Sequence, residues 1–285
     1  MTNFLLKISL YSISLLPMWV LYIISDVLYF IAYKILGYRK KVVQNNLKNS
    51  FPEKTKSELK IIKQKFYHHF FDNIVESVKA ITASESFFRK RMNIPDTNLL
   101  NHYHKNNQSV VLCVGHYCNW EWGIISVSIF AEQKMMGVYK VLSNDFFDKL
   151  MKNTRSKFGA DLISMENTFR HLIKTKEQCK IIGLLADQSP VKNESNYWTT
   201  FLNQETSVYL GPEKIAEKLN LPVVFCNIKK IKRGYYQLSL EEITATPKEM
   251  NKGDITSLYL QKLENQINET PEYWLWTHRR WKHKK

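Results

Sequence analysis

The sequence is poor in the residues that staple or break a chain, with only four cysteines, nine glycines and eight prolines in 285 residues. Cys113, Cys118, Cys179 and Cys226 form no Cys-x2-Cys pair, and three of them lie in apolar runs. That excludes a zinc ribbon or a disulfide framework and points to buried thiols in a reducing compartment, with no metal site expected. No internal repeat or low-complexity tract is visible. Acidic residues are also scarce, 26 against 41 lysines and arginines, for a net charge of +15. An acidic partner is therefore expected, and charge alone does not choose among nucleic acid, an anionic bilayer surface and a phosphorylated substrate.

Charge is wholly missing from residues 8–25, eighteen positions followed by Asp26 and a second apolar run at 27–33. The first run is just long enough to span a bilayer, but Pro17 would kink such a helix and Asp26 is costly away from the interface. A spanning helix and a re-entrant or surface-lying hairpin both remain open. A cleaved signal peptide is disfavoured, since no small-residue cleavage site follows a short apolar core. Lys34, Arg39, Lys40 and Lys41 outweigh Lys7, which places the larger, C-terminal part of the chain on the cytoplasmic side.

Downstream, strand-like runs at 109–114, 135–141, 181–186, 222–228 and 235–240 alternate with helical stretches near 145–157, 166–176, 211–219 and 255–268. This alternation predicts an α/β sheet with helices on its faces. Thr55-Lys56-Ser57-Glu58 is a capping-box pattern. It opens a helix whose apolar positions Leu59, Ile62, Phe66, Phe70, Ile74 and Val78 recur at helical spacing and should pack on the sheet. His68 and His69 fall in that helix without a ligand partner at metal spacing and read as structural or solvated. At 285 residues, 44% hydrophobic, the chain can build one large domain and an appendage.

The segment Val110 to Gly123 carries the chemistry. An apolar, β-branched run breaks at Gly115, His116 stands in the turn, and Asn119 can cap a helix whose first turn holds Glu121. On one helix, five steps of about 100° would turn Glu121 roughly 140° from His116, so the pair needs a turn His and a first-turn Glu. Glu121 would then accept the Nδ1 proton of His116, leaving Nε2 free to take a proton from a hydroxyl. No protein nucleophile is required, because an activated alcohol can attack an acyl thioester directly, and Cys118 reads as packing. Standing alone, the pair reads as readily as a satisfied histidine beside a helix start.

Blocks further along the chain change that weighting. Gly115 to Glu121 is similar to the His-x4-Asp/Glu motif of the lipid A biosynthesis acyltransferases, the late lauroyl/myristoyl-type branch of the lysophospholipid acyltransferase superfamily. Arg155 before Phe158-Gly159, Leu185-Ala186-Asp187-Gln188, the stretch 201–222 with Thr206 and Gly211-Pro212, and the C-terminal Pro271 to Lys282 resemble its further blocks, in the same order. Two departures stand out: Glu121 where the wider superfamily prefers Asp, and Phe201-Leu202-Asn203 where the family usually has a Phe-Phe-Gly turn.

The resemblance implies a single α/β acyltransferase domain at 39–285, with a mixed, mostly parallel central sheet flanked by helices, and a membrane-associating segment at 1–38. It implies transfer of a fatty acyl chain to a hydroxyl of a lipid A precursor at the inner membrane. No cofactor is expected beyond an acyl thioester, with acyl carrier protein as the co-substrate and partner that carries it. His116 is then the general base oriented by Glu121. Arg155, otherwise part of a solvated basic face, becomes an anchor for a substrate phosphate. Asp187 and Gln188 end a strand where ligands collect, and gain a substrate-contacting or site-orienting role. The long polar loop 188–207 is expected to form a lid. Trp274, Trp276 and Trp281 among Arg279, Arg280, Lys282, Lys284 and Lys285 suit a membrane interface with anionic head groups, or, for Trp274 and Trp276, plain packing. No nucleic acid is expected. The competing readings are the same chemistry on a lyso-aminolipid or lysophosphatidic acid, and a non-catalytic basic binder of membrane or nucleic acid.

Overall fold

The computed structural model describes residues 2–190 and 197–283. In chain order it has α1 (Thr2–Leu15), α2 (Met18–Tyr29), a π-helical turn (Phe30–Ile35), α3 (Lys40–Ser50), α4 (Lys56–Ala80), α5 (Glu85–Arg91), β1 (Met92–Asn93) and α6 (Asn98–Lys105). Then come β2 (Val110–Val114), α7 (Trp120–Phe130), β3 (Lys134–Tyr139), α8 (Asp145–Arg155), β4 (Asp161–Ser164), α9 (Thr168–Lys174) and β5 (Lys180–Leu185). The chain continues through β6 (Tyr197–Phe201), β7 (Gln204–Val208), α10 (Gly211–Leu219), β8 (Val223–Lys232), β9 (Tyr235–Thr244) and α11 (Asp254–Glu269).

Seven strands form one sheet in the order β1-β9-β8-β2-β5-β3-β4. Within this sheet, among the described residues, only β8 and β9 pair antiparallel, so it is mixed and mostly parallel, as expected. β2 is central and every residue of it is buried. A strand covered on both faces has no polar side to alternate with, which is why it reads Val-Val-Leu-Cys-Val without a break. Full burial of each such Val or Leu stabilises the fold by about 1.5–3 kcal/mol. Helical runs read from the sequence at 145–157, 211–219 and 255–268 correspond to α8, α10 and α11.

The N-terminal run is not one helix. Pro17, at φ −66° and ψ 152°, separates α1 from α2, and the stretch long and apolar enough to cross a membrane is Met18–Ile35 rather than residues 8–25. Both helices pack on α4. The end of α1 and the residue just past it are met by Lys79, whose Nζ donates to Ser14 O (3.0 Å) and Leu16 O (2.9 Å). α2 buries Met18, Leu21, Ser25 and Tyr29, and exposes Trp19, Ile23 and Val27 at four-residue steps. Asp26 is stabilised by an ion pair with Arg233 at 2.6 Å.

The capping box of α4 forms: Thr55 accepts from the Glu58 amide and Glu58 accepts from the Thr55 amide. Leu59, Ile62 and Phe66 are buried as their spacing predicts. Beyond them the buried face turns to Phe71, Asp72, Val75 and Glu76, while Ile74 is exposed. The cause is α2, which covers this half of α4 and donates to its carboxylates from Tyr22 (to Glu76, 2.8 Å) and Ser25 (to Asp72, 2.8 Å). His69 is buried edge-on to Tyr273 and His68 stacks on Tyr29, so both are structural.

The expected lid at 188–207 is in part a β-hairpin, β6 paired with β7 through Leu202 and Asn203, both at positive φ (50° and 60°). That two-residue turn with two positive φ values follows the right-handed twist of the strands. Residues 191–196 lie outside the described residues. The hairpin is tied down by Asn203 Nδ2, which donates to Ser50 O at 3.0 Å.

Candidate active site

β2 and β5 are parallel neighbours with Val114 opposite Leu185. Each chain runs on two residues past that pair, and the residues reached are His116 and Asp187. They meet at the carboxyl end of the sheet, where parallel α/β folds collect their ligands. His116 Nδ1 lies 2.6 Å from Asp187 Oδ1, and the His116 amide donates to Oδ2 at 3.0 Å. Trp274 Nε1 donates to the same Oδ2 at 2.8 Å. The carboxylate is 1% exposed and the imidazole 18%. Burial alone would raise the Asp187 pKa; the facing His116 ring and the hydrogen bonds from His116 and Trp274 outweigh it and hold the carboxyl at about 2.

An ionised Asp187 can only accept, so Nδ1 carries the proton that faces it, and in the neutral ring that tautomer leaves the lone pair on Nε2. This overturns the expected partner. The carboxylate that orients His116 is Asp187, and Glu121 is engaged elsewhere: Arg155 Nε donates to Glu121 Oε2 at 2.8 Å and Nη2 to Oε1 at 2.6 Å. Glu121 stands in the first turn of α7 as its spacing predicted, but from there it faces the last residue of α8. Arg155, expected as an anchor for a substrate phosphate, has one edge of its guanidinium on Glu121. Gln188 is half-buried beside Asp187.

Gly115 and the C-terminal segment set the turn. A Cβ at Gly115 would come within 2.5 Å of Leu263 Cδ1, so any larger residue here would have to push that α11 side chain aside. The backbone of residues 116–118 is tied to residues 273–275: Cys118 N donates to Tyr273 O (2.9 Å) and Leu275 N to His116 O (3.1 Å). Cys118 itself takes φ 49°, is fully buried, and burial pushes its thiol pKa up, which fits packing and not nucleophilic attack.

The bidentate pair, the His–Asp pair and the turn stand on blocks that cover almost the whole chain, and a family model of the bacterial lipid A biosynthesis acyltransferases matches residues 1–283. The chain belongs to that family. Lipid A biosynthesis acyltransferase 2 of Shigella flexneri is 27% identical over 134 residues, a stretch that covers 47% of this chain and 42% of that relative. The chain thus aligns with less than half the length of this curated relative of the acyltransferase family.

The site of this family member holds residues that sequence reasoning misplaced. Trp274 and Trp276 are buried, not set at a membrane interface: Trp274 holds Asp187, and Trp276 donates to Pro271 O at 2.6 Å. Arg280 is also buried, with Nη1 donating to Ser207 O at 2.7 Å. Burial lowers its pKa to about 10, partly offset by Asp187. His278 lies in the same neighbourhood, its pKa brought down to about 4 mainly by burial, so it is neutral at pH 7. Trp281 donates to Thr206 Oγ1, Arg279 and Lys282 are exposed, and Lys284 and Lys285 lie outside the described residues.

Proposed function

We propose that the chain moves a fatty acyl group from an acyl thioester to a hydroxyl of a lipid A precursor, with His116 as general base and Asp187 as the carboxylate that orients it. The observation that carries this reading is the 2.6 Å contact between His116 Nδ1 and a buried carboxylate. Nε2 takes the proton of the acceptor hydroxyl as its oxygen attacks the thioester carbonyl carbon. When the tetrahedral intermediate collapses, the C–S bond breaks and the leaving thiolate receives that proton from Nε2. No cofactor takes part. Arg155, fixed by Glu121, keeps its remaining N–H groups for an anionic part of the substrate, and Gln188 stands where the acceptor would pass the strand end.

Acyl carrier protein is the proposed donor and partner, consistent with the basic balance of the chain, which also suits the anionic acceptor. Residues 1–38 are read as the membrane-associating segment and 39–285 as the catalytic domain, at the cytoplasmic face of the inner membrane. Support comes from the exposed apolar row Trp19, Ile23, Val27, Phe30 and Ile35, followed by Arg39, Lys40 and Lys41. The ties from Tyr22, Ser25 and Asp26 to the sheet domain favour a hairpin lying along the surface over a helix crossing it, because a crossing α2 would pull these groups from their partners.

The test is turnover by purified full-length protein in phospholipid vesicles. Acyl carrier protein thioesters of several chain lengths and a lipid A precursor are supplied, and products are read by mass spectrometry. The wild type should yield a precursor carrying an added acyl chain, and His116→Ala none, while remaining folded and vesicle-bound. Turnover retained by His116→Ala would sink the assignment; acylation of a lyso-aminolipid or lysophosphatidic acid in place of the precursor would move the reading to another acceptor.

A further inference from the structure

Glu76 is the most deeply buried carboxylate of α4, at 0% exposure, and among the described residues no cation bonds it directly. Three neutral donors satisfy it: Tyr22 Oη on Oε1 (2.8 Å), and Asn119 Nδ2 (2.6 Å) and Tyr236 Oη (2.7 Å) on Oε2. They come from α2, the His116 turn and β9. Burying a carboxylate where an apolar side chain would pack costs stability, so its retention calls for a role beyond packing.

That role is legible at Asn119. Its Oδ1 accepts from the Trp122 amide (2.9 Å) and so caps α7, the helix whose first turn carries Glu121. An amide side chain has one accepting and one donating end, and which end faces the helix decides whether the cap exists. A carboxylate accepts only. Glu76 therefore compels Nδ2 toward itself and leaves Oδ1 for the helix. The same helix α4 grips the turn twice more: Asn73 Nδ2 donates to Cys118 O at 2.7 Å, and Trp122 Nε1 donates to Glu76 O at 2.9 Å. Residues 118, 119 and 122 are thus held from α4, between and beyond His116 and Glu121.

We propose that Glu76 is a positioning residue for the reaction: by fixing the orientation of Asn119 it sets the turn that presents His116 and the helix start that presents Glu121, and through Tyr22 it joins that turn to the N-terminal hairpin. This rests on the acyl-transfer reading of His116. Around Glu76 the charged and titratable groups are Asp72 on its own helix, Lys230 of β8, Tyr236 of β9, Tyr22 of α2 and Cys118 of the turn. Burial raises its pKa to about 7, countered by the Tyr236 bond and Lys230. A neutral Glu76 would no longer dictate the Asn119 orientation.

A reciprocal swap tests this. Glu76→Gln sets an amide against the Asn119 amide, and Asn119→Asp sets a carboxylate against Glu76. The double variant restores one donor facing one acceptor and retains a good cap. In the vesicle assay each single variant is expected to lose about 10- to 100-fold in kcat with KM within about threefold, as for a displaced catalytic group, and the double variant to recover most of it. Unchanged kcat in Glu76→Gln, or losses accounted for by the unfolded fraction alone, would overturn the proposal. If the wild type shows no acyl transfer at all, the catalytic reading fails and positioning is read separately from hydrogen exchange. The amides of residues 118–122 should then exchange at least about 10-fold faster in each single variant and return in the double, as expected for lost helix-cap protection. Equal exchange in all four proteins would overturn it.

Discussion

Two carboxylate pairs stand at the same end of the sheet, and they are built for different work. His116–Asp187 joins an imidazole, whose second ring nitrogen is free to exchange a proton, to a buried carboxylate. Glu121–Arg155 joins a carboxylate to a guanidinium through two hydrogen bonds, with 13% and 21% of the side chains exposed. The first can relay a proton; the second cannot, because a guanidinium does not give up its proton in a protein. The first comes from two strands in register and its spacing is set by the sheet. The second comes from the first turn of one helix and the last residue of another, and it brings α7 and α8 together. Proximity of a carboxylate to His116 along the chain is therefore a poor guide to which carboxylate orients it.

The two pairs separate most sharply at Asp187. Asp187→Asn leaves the shape but can donate to Nδ1, which favours the tautomer with the proton on Nε2; kcat should fall about 10²- to 10⁴-fold in the vesicle assay. Glu121→Gln should fall less, about 10-fold, because it loosens a binding group rather than the base. Equal losses would erase the distinction.

Arg155→Ala comes next. With the guanidinium gone, KM for a phosphorylated acceptor should rise about 10-fold or more, whereas an acceptor lacking phosphate should lose little. A kcat loss without a KM change would move Arg155 from binding to chemistry.

The smallest effect is on stability. The Asp187 carboxyl is lowered from its ordinary 3.8 to about 2, so its contribution is fully present above the unfolded value and is lost as pH falls toward the folded one. The stability advantage of wild type over Asp187→Asn should shrink by about 2 kcal/mol between about pH 5 and pH 2, measured by urea unfolding. A constant difference across that range would mean that Asp187 is not held ionised by its neighbours.

The parts of the fold and site that are legible in the sequence are those with a local physical signature. β2, β5 and β8 announce themselves as apolar runs because both of their faces are covered, and the break at Gly115 marks His116 as a turn residue. The partner of His116 lies 71 positions away, and finding it requires knowing that β2 and β5 are neighbours in register, which no local pattern states. The second half of α4 misled because periodicity equates burial with apolar character, while Asp72 is buried against Ser25, Lys230 and Arg233, and Glu76 against two tyrosine hydroxyls and the Asn119 amide. The C-terminal tryptophans misled for the converse reason: rings interleaved with cations look alike whether they meet lipid head groups or, as Trp274 does, a buried carboxylate. The β6–β7 hairpin escaped notice because its two positive-φ positions are Leu202 and Asn203, not the Asn-Gly that usually marks such a turn.

The most direct measurement is the ¹⁵N chemical shifts of the His116 ring in selectively labelled protein, in wild type, Asp187→Asn and Glu121→Gln. The Nδ1–H tautomer should be seen in wild type and in Glu121→Gln, and should be lost in Asp187→Asn. Its loss in Glu121→Gln with retention in Asp187→Asn would return the orienting role to Glu121 and contradict the assignment of Asp187.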